Sequence, residues 1–175
     1  SKQNAILVMP QGPKHAADSS GGQLDEKGGL SRMLKEIVQV IRSSKVSKAL
    51  GKSSLAGCKD VGMVVLSAHS GGYAVAASCA RKGGVNVHEI YLFDALYGRV
   101  KDYAAWVAAR RDKSGRERHK LISHYASGVV KDNNLDLMKR LRGAGVKVLH
   151  EKVAGQLTRE ELTKGTAIFI GTSGQ

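Results

Sequence analysis

Six short runs of the sequence are apolar almost throughout, and helical stretches separate each run from the next. Strands without polar alternation are typical of parallel sheets that are covered on both faces. A strand-helix-strand order joins parallel neighbours. The sequence therefore predicts an α/β fold, a three-layer, doubly wound, mainly parallel sheet of about six strands with helices on both faces. The predicted strands are Ala5–Met9, Val61–Ser67, Val87–Phe93, Lys120–Tyr125, Val146–Leu149 and Ala167–Ile170.

The connecting segments carry helix signals. Apolar residues from Leu30 to Ile41 recur at helical spacing and mark one helix face. A run of small residues from Gly71 to Arg81 predicts a second helix, which stops at Gly83-Gly84. Further helices are predicted over Val100–Arg110, from Asp132 as a cap to Gly143, and after Thr158, which has the capping-box spacing to Glu161.

The length and the charge of the chain limit the number of domains and the kinds of partner that it can have. A chain of 175 residues fits one domain, residues 1–175. The net charge of +13 favours anionic partners such as an acidic polymer or surface. Aromatic residues make up only 5% of the chain and the basic residues are scattered, which argues against a nucleic-acid stacking platform. The compartment and the oligomeric state are left open by these features.

The sequence lacks the signatures of a membrane span, a disulfide framework and a zinc site. No apolar run approaches the ~20 residues that span a bilayer. Cys58 and Cys79 form neither a disulfide framework nor a zinc spacing, and we expect Cys79 to be a buried core residue. No metal or organic cofactor is implied. The chain begins at Ser1 without Met, which indicates a processed N-terminus or a segment of a longer protein.

The most informative segment is Ala68-His69-Ser70-Gly71-Gly72, which lies between an apolar strand and the small-residue helix. A nucleophile elbow has the pattern G-x-S-x-G, and Ala68 replaces its first glycine. Small residues are needed because the positions on either side of the nucleophile approach each other in a sharp, strained turn. The turn exposes Ser70 Oγ and leaves the Gly71 N–H free at the start of the helix, where it can stabilise an oxyanion.

A phosphate-binding loop is the competing interpretation of this glycine-rich turn. That interpretation requires a lysine and the spacing G-x-x-x-x-G-K-[ST], which the segment lacks. A third interpretation is a site that binds an anion through the free N–H groups of this turn and catalyses no reaction.

With these residues the chain resembles the α/β-hydrolase superfamily of serine hydrolases. The resemblance is specific at Ala68–Gly72 and at the segment Phe93–Gly98, and elsewhere it lies in the order of strands. It implies a triad in the chain order Ser, acid, His. Asp94 directly follows the strand after the elbow and matches a position that the family uses for its acid. Asp132 is the runner-up.

The histidine is where the sequence departs from the family. The family places it after the last strand, and residues 171–175 contain none. His124 and His150 end strands near the expected edge and are the candidate bases. His15 lies near that edge but out of family order. His88 and His119 lie at strand starts, the wrong edge.

The second oxyanion donor is missing as well. The family takes it from a His-Gly-rich loop after an earlier strand, and Pro10-Gln11-Gly12-Pro13 does not match that pattern. One explanation is a hydrolase core truncated at both ends. The other is a degenerate domain that binds rather than cleaves.

The sequence thus predicts a serine hydrolase acting on a small-molecule ester or amide, with Ser70 as nucleophile and Asp94 orienting the histidine. His69, Tyr73 and Tyr97 are predicted to line the substrate site. The alternative is a catalytically silent α/β-hydrolase-like domain whose basic surface binds anionic partners.

Overall fold

The structure, a computed structural model, describes residues 5–14, 17–49, 51, 53–109, 119–152 and 155–172. The strands are β1 (Val64–His69), β2 (Val87–Phe93), β3 (Lys120–Tyr125), β4 (Val148–Glu151) and β5 (Ala167–Gly171). The helices are α1 (Gly29–Arg42), α2 (Ser44–Ala49), α3 (Tyr73–Lys82), α4 (Val100–Ala109), α5 (Gly128–Gly143) and α6 (Arg159–Lys164). Short 3-10 turns cover Gly22–Asp25, Ser53–Gly57 and Ser70–Gly72.

The strands form one five-stranded sheet in the order β1-β2-β3-β5-β4, and every neighbouring pair is parallel. The predicted α/β fold is confirmed. All carboxyl ends therefore lie at one edge of the sheet, which is where ligand sites of such sheets form.

The prediction of a sixth strand over Ala5–Met9 is wrong. This segment is exposed and has no strand assignment. Its residue types favour strands, yet a strand needs a ladder partner as well as propensity. Within the described part of the chain, β1 pairs with β2 alone and forms an edge of the sheet.

Several strands and helices begin or end a few residues away from the predicted positions. The first strand begins at Val64 and continues to His69, so that Ser70 follows it directly. Helix α5 begins at Gly128 after Ser127, and Asp132 is an exposed residue within it rather than its cap. The helix predicted over Val100–Arg110 is found over Val100–Ala109, and Arg110 lies outside the described residues.

Two predicted helix ends are confirmed. The Thr158 hydroxyl accepts a hydrogen bond from the Glu161 N–H, and the Glu161 carboxylate accepts one from the Thr158 N–H, which completes the capping box. Helix α3 ends at Lys82 with Gly83 as its cap. Gly84 follows at φ +82°, a conformation that glycine adopts without strain.

The main core lies on the face of the sheet that packs against α3, α4 and α5. Alanine and cysteine side chains of α3 allow that helix to lie close to the sheet, and Cys79 is buried as predicted. Burial raises the pKa of the Cys79 thiol to about 11, so this thiol stays protonated and inert at neutral pH.

The opposite face is covered at its far end by α6. Leu162 of α6 packs near Ile122, Ile168 and Ile170, and Lys120 Nζ donates hydrogen bonds to carbonyl groups of this helix. Helices therefore flank both faces of the sheet. On the β1 and β2 side of this second face, Phe93 remains 42% exposed.

Candidate functional site

The carboxyl edge of the sheet brings Ser70 and Asp94 next to each other in the strand order. His69 and Phe93 are register partners at the ends of β1 and β2, and Ser70 and Asp94 are the residues that follow them. Both have left-handed backbones, with φ of 49° at Ser70 and 44° at Asp94. Strained non-glycine residues cluster at functional sites, and two of them lie side by side at this edge.

Ser70 occupies a sharp and exposed turn. The strand β1 ends at His69, the 3-10 turn covers Ser70–Gly72, and α3 begins at Tyr73. The left-handed backbone of Ser70 costs on the order of 1 kcal/mol or more, because its Cβ approaches the following carbonyl oxygen. The turn holds the hydroxyl at the surface of the sheet edge, and Ser70 is exposed to solvent.

The small residues around Ser70 are required by close contact. A Cβ atom placed on Gly72 would lie 3.3 Å from the Ala68 Cβ. A larger residue at either position would have to displace the other. The replacement of the first elbow glycine by Ala68 is therefore compatible with this turn, and Ala68 is buried.

We expect Ser70→Gly to stabilise the fold by about 1 kcal/mol, because glycine adopts a positive φ without strain. The free energy of unfolding in urea measures this change. Ser67→Gly is the matched control, because Ser67 lies in the extended part of the same strand. That control is expected to destabilise by roughly 0.5–1 kcal/mol. An equal loss for both variants would contradict a strained Ser70.

Asp94 follows β2 and is held by two hydrogen bonds to residues at the end of the neighbouring strand, β3. Its N–H donates to the His124 carbonyl at 2.9 Å, and its Oδ1 accepts from the Ala126 N–H at 3.1 Å. The carboxylate therefore has a fixed position, and its second oxygen accepts no hydrogen bond from any described group. An orienting acid in a triad needs this kind of anchoring.

Tyr73 and Tyr97 pack beside the elbow. Their ring centroids are 6.2 Å apart. A Cβ atom on Gly98 would lie 3.2 Å from the Tyr73 ring, and the buried Tyr103 hydroxyl donates to the Tyr73 carbonyl at 2.7 Å. The structure thus brings these two predicted substrate residues together, and Tyr97 keeps nearly half of its surface exposed.

His69 and His124 lie on the partly open face of the sheet. Both align with Phe93 in the strand register, and the rings of Phe93 and His124 stack with centroids 5.2 Å apart. Burial lowers the pKa of His124, and the charge of Glu151 partly opposes this shift. Two strand spacings, about 10 Å, separate the His124 backbone from that of β1.

His150 lies on the far edge strand, β4. Four strand spacings separate it from β1, a distance of about 19 Å. Its Nε2 is joined to the Tyr125 hydroxyl by a hydrogen bond of 2.6 Å. Burial lowers the pKa of His150, and the charges of Arg142 and Lys152 lower it further. The structure therefore does not bring His150 to Ser70.

The remaining histidines lie elsewhere. His88 accepts from the Val64 N–H at the amino end of the strands, and the ring of His119 stacks on that of His88. His15 lies outside the described residues. Among the described residues, no histidine makes a hydrogen bond with Ser70.

Comparisons with protein-family models, with curated proteins and with solved structures find no match to this chain.

The described part of the chain also lacks a metal cluster and a membrane-spanning helix. It contains no cluster of three or more His, Cys, Asp or Glu side chains that could hold a metal ion. No helix of the described segments is long and apolar enough to cross a bilayer. A groove of about 270 Å³ beside α1, lined by Leu34, Val38 and Val85 among others, lies at the amino edge of the sheet, away from Ser70.

The sequence analysis missed Ser19. A Cβ atom placed on Gly71 would lie 2.8 Å from Ser19 Oγ, so this hydroxyl lies close to the elbow. The pair Gly21-Gly22 after Ser19-Ser20 is the only signal of an unusual loop, and it gives no indication of where that loop packs.

Proposed function

We propose that this chain carries the nucleophile of a serine hydrolase that acts on an ester or amide, in an α/β-hydrolase-like fold. The single observation that carries the proposal is the backbone of Ser70. A non-glycine residue at φ 49° is exposed between a parallel strand and a helix, and small residues lie in contact on either side. A chain tolerates such strain where the turn has a use that relaxed geometry would not serve.

The reaction would follow the two-step route of serine hydrolases. Ser70 Oγ attacks the substrate carbonyl carbon while its proton passes to a base, and the carbonyl oxygen becomes an oxyanion near the Gly71 N–H. Collapse expels the alcohol or amine, which takes the proton from the base. Water then attacks the acyl carbon and gives a proton to the base, and collapse of the second tetrahedral intermediate releases the acid and expels Ser70 Oγ, which takes the proton back from the base.

Asp94 is proposed as the acid, because its carboxylate is fixed at the neighbouring strand end. Tyr73 and Tyr97 are proposed as one wall of the substrate site, because they pack together beside the elbow. The base is proposed to be a histidine other than His88 and His119, which lie at the amino end of the strands, away from Ser70. His124 is the first candidate of the two predicted ones, since it lies two strands nearer to β1 than His150 does.

Hydrolysis of p-nitrophenyl esters and anilides of increasing acyl length tests the function. The chain is expected to hydrolyse at least one of them faster than buffer, with an activity that rises as the base loses its proton. Six single variants, each with one histidine changed to alanine, identify the base by the one large fall in kcat. Hydrolysis that never exceeds the buffer rate would overturn the proposal.

The second candidate is a catalytically silent domain that binds an anionic polymer. It is favoured by the net charge of +13 and by the exposed Lys131, Lys139, Arg140 and Arg142 on α5. Only Arg140 of these four is paired with an acidic group in the described residues, Asp136. Retention on heparin that falls steeply with salt, together with no hydrolysis, would favour this candidate.

A further inference from the structure

The loop that carries Ser19 lies directly on the elbow. Ser19 Oγ lies 2.8 Å from the position that a Cβ of Gly71 would take. A side chain at position 71 would therefore require this hydroxyl to move. Glycine at position 71 leaves the space that the hydroxyl occupies.

The loop is fixed against α3 and does not merely pass by it. A Cβ atom on Gly21 would lie 2.6 Å from the Val75 side chain, which shows how closely the loop backbone approaches the helix. The Gly21 N–H donates to the Asp25 carboxylate at 2.5 Å, and the Ser20 N–H donates to Asp18 Oδ1 at 3.0 Å. These contacts hold both sides of Ser19.

Ser19 also has a left-handed backbone, with φ 64°. It and Ser70 are two of only four non-glycine residues with positive φ in the described segments. Ser70 directly precedes Gly71 in the chain, and the Ser19 hydroxyl lies close to Gly71. Among described groups, neither hydroxyl makes a hydrogen bond.

The distances allow Ser19 and Gly71 to bind one atom together. The N and Cβ positions of one residue are about 2.5 Å apart, so Ser19 Oγ lies within about 5.3 Å of the Gly71 nitrogen. Two donors that each lie about 3 Å from one oxyanion can be up to about 6 Å apart. A single oxygen can therefore accept from both the Gly71 N–H and the Ser19 O–H.

We propose that the Ser19 hydroxyl is the second oxyanion donor of the site, a catalytic residue that acts together with the Gly71 N–H. This inference rests on the proposed hydrolase function of Ser70. It supplies the donor that Pro10-Gln11-Gly12-Pro13 does not provide by its sequence pattern. The hydroxyl donates to the negative oxygen of the tetrahedral intermediate and takes no part in proton transfer.

The test compares Ser19→Gly with Ser20→Ala. Ser19→Gly removes the hydroxyl and adopts φ 64° without strain, so the fold should be no less stable. We expect a fall in kcat of about 10²-fold with little change in KM, because the donor acts on the transition state. Ser20→Ala is the matched control. Its hydroxyl accepts from the Gly22 N–H, and its loss should leave kcat within about 2-fold.

The outcomes separate the two proposals. Native activity that depends on Ser70 but is unchanged in Ser19→Gly overturns the role of Ser19 alone. An equal loss in Ser19→Gly and Ser20→Ala, with a lower melting temperature in both, shows a structural loop and also overturns it. Native hydrolysis no faster than that of Ser70→Ala overturns the hydrolase function and the Ser19 donor together.

Discussion

Ser70→Ala is expected to lower kcat/KM for p-nitrophenyl ester hydrolysis by at least about 10³-fold. Removing the nucleophile leaves only the rate that oxyanion binding and positioning can supply. The folded structure should persist, because Ser70 is exposed and buries no core contact. Steady-state rates and the melting temperature of both proteins, measured at one pH, give the comparison.

Ser67→Ala is the control for this experiment. Ser67 is exposed and lies within the same strand, on a face of the sheet. Ser70, in contrast, follows the end of that strand. Its substitution should change kcat/KM by less than about 2-fold. A similar fall for Ser67→Ala and Ser70→Ala, or no fall for Ser70→Ala, would contradict a nucleophile at position 70.

The largest effect on stability is expected at Phe169. Its side chain is fully buried on β5, between β3 and β4, in the main core. Phe169→Ala removes the buried ring and leaves a cavity, which costs about 3–5 kcal/mol. Urea denaturation at a fixed pH measures this loss as a lower midpoint with an unchanged slope.

Phe93→Ala is its matched control. Phe93 has the same side chain at the end of β2, but it is 42% exposed and stacks only on His124 among the ring contacts of the described residues. We expect it to cost about 1 kcal/mol. Equal losses at the two positions would contradict the assignment of the main core to the face packed by α3, α4 and α5.

The order of strands and helices could be read from the sequence because burial on both faces leaves a strong apolar signal. Val87–Phe93 and Lys120–Tyr125 were predicted with the boundaries that the structure has. The order β5 before β4 at the far edge could not be read, since five parallel strands can be joined in several orders by similar helices. Topology depends on packing between distant segments.

Ala5–Met9 shows the limit of local propensity. Its residues are those of a buried strand, and the sequence contains no information on whether a ladder partner is available. The start of α5 was misplaced for a related reason. Asp132 is a good cap by residue type, yet Ser127 stands at the start of the helix that buries Leu137 and Leu141.

The turn at Ser70 could be predicted because its steric need is local. Small residues at positions 68 and 72 are a direct consequence of a close approach that lies within five residues of chain. The placement of histidines is not local, because it depends on which strands are neighbours. The contact of Ser19 with Gly71 joins residues more than fifty positions apart, and no spacing rule reports it.

The measurement that tests the central claim most directly is the position of the adduct after treatment with a fluorophosphonate. This reagent captures a serine that is both nucleophilic and next to oxyanion donors. Tandem mass spectrometry of a digest is expected to find one phosphonyl group per chain, on Ser70, and none after heat denaturation. A folded chain without an adduct, or with adducts spread over other serines, would contradict the claim that Ser70 is the nucleophile.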